Sequence, residues 1–136
     1  AAVVIKFHPT VKQNKYTSQI PSKFLVTDED LYSLFSRARM VIGRSTGAMV
    51  EAASLGIPVI DIVDPAKFSH DFMPDCGRGV IWDRATHVED VCRLVRQFEN
   101  LLQLDSSQLL VMGEKIRDKC FCEPTERQIV RAFDLA

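Results

Sequence analysis

The sequence predicts an α/β domain: a doubly wound, Rossmann-like and mostly parallel sheet of about five strands, with helices on both faces and a C-terminal helical tail. Three observations carry this. Short runs that are apolar throughout alternate with stretches whose apolar residues recur at helical spacing, the pattern of strands covered on both sides. Capping residues, Gly and Pro fall at the boundaries between these segments. The chain has 136 residues, 46% of them hydrophobic and 26% charged, which suits one globular domain with its own core.

Ala2–Phe7 is an apolar run rich in β-branched residues that ends at His8-Pro9, and it reads as a buried strand. Lys12–Ser22 is polar and reads as a loop; Lys23–Val26 is a short second strand. Thr27-Asp28-Glu29-Asp30 opens a helix with Thr27 as N-cap, its inner face marked by Leu31, Leu34, Phe35 and Ala38. Met40–Gly43 is the third strand. A helix over about Thr46–Leu55 is closed by Gly56, with Pro58 beyond it. Ile57–Val63 reads as a buried fourth strand and Gly79–Trp82 as a fifth, with Trp82 packed on a neighbour. Thr86-His87-Val88-Glu89 is a capping box, and the helix behind it places Val88, Val91, Cys92, Val95, Phe98 and Leu102 inward. Two further helices are expected. One starts near Asp105 with Leu109 and Ile116 inward; the other starts at Pro124 with Ile129, Val130 and Phe133 inward.

Composition excludes several classes. Lys+Arg number 17 against 18 Asp+Glu, and a net charge of -1 argues against nucleic acid as a partner. No apolar run approaches the roughly 20 residues that cross a bilayer. The charge is uneven: residues 1–45 carry a net +4 and residues 46–136 a net -5. A basic first third suits an anionic small ligand, and it equally fits unselected surface charge. Cys76, Cys92, Cys120 and Cys122 show neither a CxxC pair nor a His spacing suited to zinc, so free thiols in a reducing, cytoplasmic compartment are expected. The chain enters an apolar run at once, without Met, and is expected to be a piece of a longer protein.

In a parallel sheet, ligands bind beyond the carboxyl ends of the strands. Three segments fall there: Lys6–Thr10, Gly43–Gly47 and Val63–Arg78. The middle one is the most informative. In Gly43-Arg44-Ser45-Thr46-Gly47-Ala48 a strand gives way to a small-residue turn and then a helix, so free first-turn amides can hold an anion such as phosphate. Ser45 or Thr46 can cap the helix, Gly47 lets a ligand approach the backbone, and Arg44 can add charge or point to solvent. Glu51, further into the helix, can accept hydrogen bonds from ribose hydroxyls or be an exposed helix acid. The segment is neither a GxGxxG fingerprint nor a P-loop. His8, with Lys6 two residues before it, can donate to a phosphate oxygen or protonate a leaving group; a surface histidine is the alternative. The long Asp64–Arg78 connection reads as a substrate-side loop, and the adjacency of Ser69, His70 and Asp71 is no evidence for a triad.

Together these residues resemble a known arrangement. Ser45-Thr46-Gly47-Ala48-Met49-Val50-Glu51-Ala52-Ala53-Ser54-Leu55-Gly56-Ile57-Pro58-Val59 resembles the donor-site helix in the C-terminal domain of GT-B-fold glycosyltransferases. It also resembles the matching segment of non-hydrolysing UDP-N-acetylglucosamine 2-epimerases. Lys6-Phe7-His8-Pro9 is similar to the His-Pro element of bacterial capsule and surface-polysaccharide transferases. The resemblance covers about residues 2–102. It implies a single nucleotide-sugar-binding domain over 1–136, belonging to a two-domain chain whose N-terminal domain carries the acceptor site. It further implies that Ser45, Thr46, Gly47 and Ala48, with Arg44 and Lys6, hold the donor's phosphates. Glu51 would hold the ribose and His8 would assist departure of the nucleotide. The activity implied is glycosyl transfer from a nucleotide-sugar donor to an acceptor hydroxyl in surface-polysaccharide synthesis. It needs no metal and no cofactor beyond the donor, and the intact protein can associate peripherally with a membrane. The epimerases usually carry Ser-Gly-Gly at the turn and a Thr-Glu-Arg-Pro-Glu element after the next strand. This chain has Ser45-Thr46-Gly47 and Val63-Asp64-Pro65-Ala66-Lys67-Phe68 there, which ranks transferase above epimerase. A non-catalytic Rossmann-like binding module is the third reading.

Overall fold

A computed structural model of the chain describes residues 2–12, 15–121, 123 and 125–133. It is an α/β structure whose strands pair only in parallel, in one sheet of two strands and one of three. The single five-stranded sheet expected from the alternation does not form. The chain divides into two compact units, Ala1–Arg37 and Ala38–Ala136, each described by itself.

In the first unit, strand β1 (Val4–Ile5) pairs with β2 (Leu25–Val26), Val4 opposite Leu25 and Ile5 opposite Val26. The buried strand expected over Ala2–Phe7 contracts to these two residues, and Val3, Val4 and Leu25 are exposed. A two-stranded parallel ribbon has too little surface to bury both its faces, so apolar composition here does not translate into burial. Helix α1 spans Leu31–Phe35 and buries Phe35. Its N-cap is Asp30, whose carboxylate accepts the Ser33 N–H at 2.9 Å, and not Thr27. The Thr27 hydroxyl instead accepts the Glu29 N–H at 3.2 Å, one turn too early to cap the helix.

The second unit is built on β3 (Val41–Gly43), β4 (Val59–Ile62) and β5 (Trp82–Ala85), with β4 in the centre. The register sets Gly43 beside Asp61 and Asp61 beside Arg84. Because side chains alternate across a pleated strand, Gly43, Asp61 and Arg84 share one face, and Ile60 and Ala85 share the other. Helix α3 (Val88–Leu104) covers the second face, where Ile60, Ala85, Leu94 and Phe98 form a buried cluster. Helix α2 (Ala48–Ser54) packs on β3 and β4, and helix α4 (Ser107–Cys120) packs on α2. The α2–α4 crossing is close enough to require glycine. A Cβ at Gly113 would lie 2.7 Å from Gly56 N and 2.9 Å from Ala53 O. Gly56 itself has φ +82, the left-handed exit that ends α2.

Three expectations need correction here. The fifth strand is Trp82–Ala85, not Gly79–Trp82. Gly77 and Gly79 have positive φ, and the amides of Val80, Ile81 and Trp82 all turn onto Gly77 O, so this stretch is a tight turn. In α3 the inner residues are Leu94 and Phe98, with Val91 and Val95 partly buried; Val88 and Cys92 are exposed. Its cap acid is Asp90 rather than Glu89, and one Asp90 oxygen accepts from the N–H groups of both Thr86 and His87 at 3.1 and 3.2 Å. Helix α5 (Glu126–Ala132) is capped by Thr125, and Ile129 and Phe133 on it are exposed rather than inward. Its expected start at Pro124 lies outside the described residues, as does Cys122.

Candidate functional site

The β3–α2 connection is shaped by what surrounds Gly43. A Cβ there would lie 2.9 Å from both Cγ and Sδ of Met49, so the glycine lets the first turn of α2 settle onto the strand end. Met49 is 1% exposed and anchors that turn. The chain reverses through Ser45, whose φ of +46 lies in the left-handed region that non-glycine residues seldom occupy. Gly47 is the N-cap of α2. The expected side-chain cap is weak: Thr46 Oγ1 accepts the Ala48 N–H at 3.4 Å, and Ser45 does not cap.

The amides of this turn divide into two sets. Those of Met49 and Val50 are satisfied by Thr46 O and Gly47 O at 3.2 and 2.9 Å. Among the described residues, those of Ser45, Thr46 and Gly47 have no backbone acceptor. The turn is also open. Gly47 is exposed and a Cβ on it would meet nothing within 4 Å; Ser45, Thr46 and Ala48 are half-buried. A cluster of N–H donors at the edge of a sheet is chemically an acceptor site for oxyanions. Arg44 is exposed beside it and helps, with the Ala66 amide and Lys67, to hold the Asp64 carboxyl below its usual range; the 3.0 Å bond from Ala66 N is the largest cause. Glu51 is half-buried one turn further along α2, whose positions Met49, Val50, Ala52 and Ala53 are buried.

Lys6 and His8 lie in the first unit, just past β1, and both are exposed. Thr10 brings its N–H to His8 Nδ1 at 3.3 Å and its hydroxyl at 2.8 Å. Nδ1 is therefore the acceptor, and the neutral ring carries its proton on Nε2, the nitrogen that can donate outward. This orients the ring for outward donation from Nε2.

A second constellation escaped the sequence reading. Asp61, in the middle of β4, is 5% exposed and accepts from Arg84 Nε at 3.2 Å. Arg84 Nη2 pairs in turn with Asp71 of the long loop. Burial pushes the Asp61 carboxyl up, and the Arg84 hydrogen bond and charge oppose that. The Arg84 guanidinium lies 5.5 Å from the Trp82 ring, whose Nε1–H donates to Cys76 O at 2.9 Å. The available signal was Asp61 itself. A lone carboxylate inside Val59-Ile60-Asp61-Ile62-Val63 must have a cationic or donor partner, because burying it unpaired is costly. Arg84 was missed because the fifth strand had been placed three residues too early.

Two surface hollows lie away from the 45–48 turn. One, of about 440 Å³, is lined by Val88, Glu89, Cys92, Arg93 and Arg96; the other, of about 260 Å³, by Ser54, Leu55, Leu110, Glu114 and Arg117. No group of three His, Cys, Asp or Glu side chains able to hold a metal occurs among the described residues, and no helix there is long and apolar enough to cross a membrane. The chain matches no family model, no curated protein and no solved structure.

Proposed function

We propose that the chain is the nucleotide-sugar-binding domain of a GT-B-type glycosyltransferase, of the doubly wound class, acting in surface-polysaccharide synthesis. One observation carries the reading: the open turn at residues 45–47, whose amides lack backbone acceptors, stands at the carboxyl end of a parallel strand. Helices against both faces of the three-stranded sheet support the fold class. The donor's diphosphate docks on the amides of Ser45, Thr46, Gly47 and Ala48, with Arg44 adding charge. Glu51 takes the ribose hydroxyls. As the bond between sugar and nucleotide breaks, negative charge grows on the leaving phosphate. Fixed N–H dipoles stabilise that charge, which is how such a site lowers the barrier. His8 assists departure of the nucleotide through its Nε2–H. The acceptor and its base come from a partner domain, the reaction draws on a cytoplasmic donor pool, and any membrane contact of the intact protein is peripheral.

Titration of the chain with UDP, CMP and CDP tests this. At least one nucleotide binds; Gly47→Pro, which deletes one amide donor at a φ of -59 that suits proline, and Glu51→Ala each weaken it about tenfold, the loss expected for a charge-assisted or bidentate contact. Affinity unchanged in both variants removes the site assignment. Interconversion of a UDP-sugar by intact protein without any acceptor would replace the transferase reading with the epimerase one.

A further inference from the structure

Two ion pairs join the loop between β4 and β5 to the sheet: Arg78, close to β5, pairs with Asp83, and Asp71, nearer the middle of the loop, pairs with Arg84. The two carboxylates on Arg84 differ sharply in how free they are to leave. Asp61 sits in the central strand with its side chain 7% exposed, so it holds Nε in place permanently. Asp71 is a loop residue with its side chain 58% exposed. These contacts engage Nε and Nη2 of a guanidinium that carries five N–H donors. The guanidinium thus has one fixed carboxylate, one removable carboxylate and spare donors.

Its place in the sheet matters. Gly43, Asp61 and Arg84 form a row across one face, and the open turn begins two residues after Gly43. Neighbouring strands are about 4.8 Å apart, so the row is about 10 Å long between backbones. The arginine side chain leans along it toward Asp61 and hence toward β3. A guanidinium with a carboxylate on its outer edge, set on the strand face that leads to an anion-accepting turn, is a receptor occupied by an internal substitute.

We propose that Arg84 is an anion-binding residue of this site and that Asp71 holds its place until a phosphate-bearing ligand displaces it. This rests on the reading of the 45–48 turn as a phosphate site. Displacement frees the stretch between the Asp64 turn, where the carboxylate accepts the Ala66 N–H, and Met73, which is 6% exposed. That stretch carries Phe68, His70 and Phe72, three rings in edge or tilted contact and all exposed. Ligand binding and movement of an aromatic loop tip are therefore one event.

Inorganic pyrophosphate is the probe, and Trp82, the chain's single tryptophan, is the reporter, since Arg84 stacks against it. Pyrophosphate changes Trp82 emission in the wild-type chain. Asp71→Asn removes the internal competitor and binds pyrophosphate about fivefold tighter or more, and Arg84→Gln binds it at least about tenfold more weakly. Asp71 is exposed, so its variant decides the matter even if Arg84→Gln folds poorly. Pyrophosphate affinity unchanged or weaker in Asp71→Asn overturns the displacement. If Gly47→Pro still weakens binding in that case, the turn remains a phosphate site and only the role of Arg84 falls. Loss of binding in Arg84→Gln with no effect of Gly47→Pro has the opposite meaning: the receptor stands and the turn does not. Absence of binding in every variant, Asp71→Asn included, overturns both.

Discussion

Single residues fix what the turn and its neighbours can do. Ser45 stands in a left-handed conformation that a glycine would adopt without penalty, and such positions cost of order 1–3 kcal/mol unless surrounding structure holds them. Met49 buried over Gly43 does the holding. For His8 the structure fixes a tautomer, Nε2–H, through Thr10. If His8 donates to the departing phosphate, its contact strengthens in the transition state more than in the ground state. On the proposed reading His8→Ala then lowers kcat by about 100-fold or more, a general-acid-sized loss, while KM moves little. Steady-state kinetics checks this, and an unaltered kcat rules His8 out. At this scale the sequence was partly readable. The Ser45–Gly47 turn followed from small residues between a strand and a helix. Asp30 as cap, Asp90 as cap acid and the Asp61–Arg84 pair did not, because which of several nearby acids points at an amide depends on backbone angles set by packing.

Elements carry the stability of this frame. At the α2–α4 crossing backbone approaches backbone, and two effects compete at Gly113. Alanine favours a helix interior by about 1 kcal/mol over glycine. Here, however, the new Cβ would press on Gly56 N, Ala53 O and Gly56 Cα, backbone atoms that cannot rotate away. Overpacking of this kind costs about 1–3 kcal/mol, so Gly113→Ala is destabilising on balance by up to about 2 kcal/mol in urea unfolding. Because α2 also carries the candidate site, the variant reduces nucleotide affinity as well. The start of α3 gives a pH-dependent prediction. Amide bonds from Thr86 and then His87 hold the Asp90 carboxyl below its ordinary value of 3.8. A depressed native pKa contributes stability above the unfolded value that disappears as pH falls through the native one. The Tm gap between wild type and Asp90→Asn is therefore fully open at neutral pH and closes below about pH 4. A gap constant across that range contradicts the cap. Helix positions were legible from apolar spacing, and Leu109 and Ile116 are buried as the spacing of α4 indicated. The fifth strand was misplaced because Val80-Ile81-Trp82 is apolar yet stands in a turn set by two positive-φ glycines, Gly77 and Gly79.

At the scale of the whole chain, burial is concentrated in the second unit, where all the buried hydrophobic residues except Phe35 lie. The count of strands and their parallel pairing were legible from apolar runs alternating with amphipathic stretches. The partition into sheets of two and three strands was not. Composition reports that a run is apolar, and it does not report which strand the run's amides pair with. Hence β1 and β2 resemble buried strands in sequence while Val4 and Leu25 stand exposed. The proposed phosphate-binding surface, the 45–48 turn with Arg84, lies in the second unit. The most direct test is a two-dimensional NMR titration of the isotopically labelled chain with UDP or CDP, following backbone amides. The amides of Ser45, Thr46, Gly47 and Ala48 are expected to shift most, in a saturable manner and with the Arg84 side-chain N–H signals following. Saturable binding that leaves those four amides unmoved, or no binding by any nucleotide diphosphate, contradicts the account.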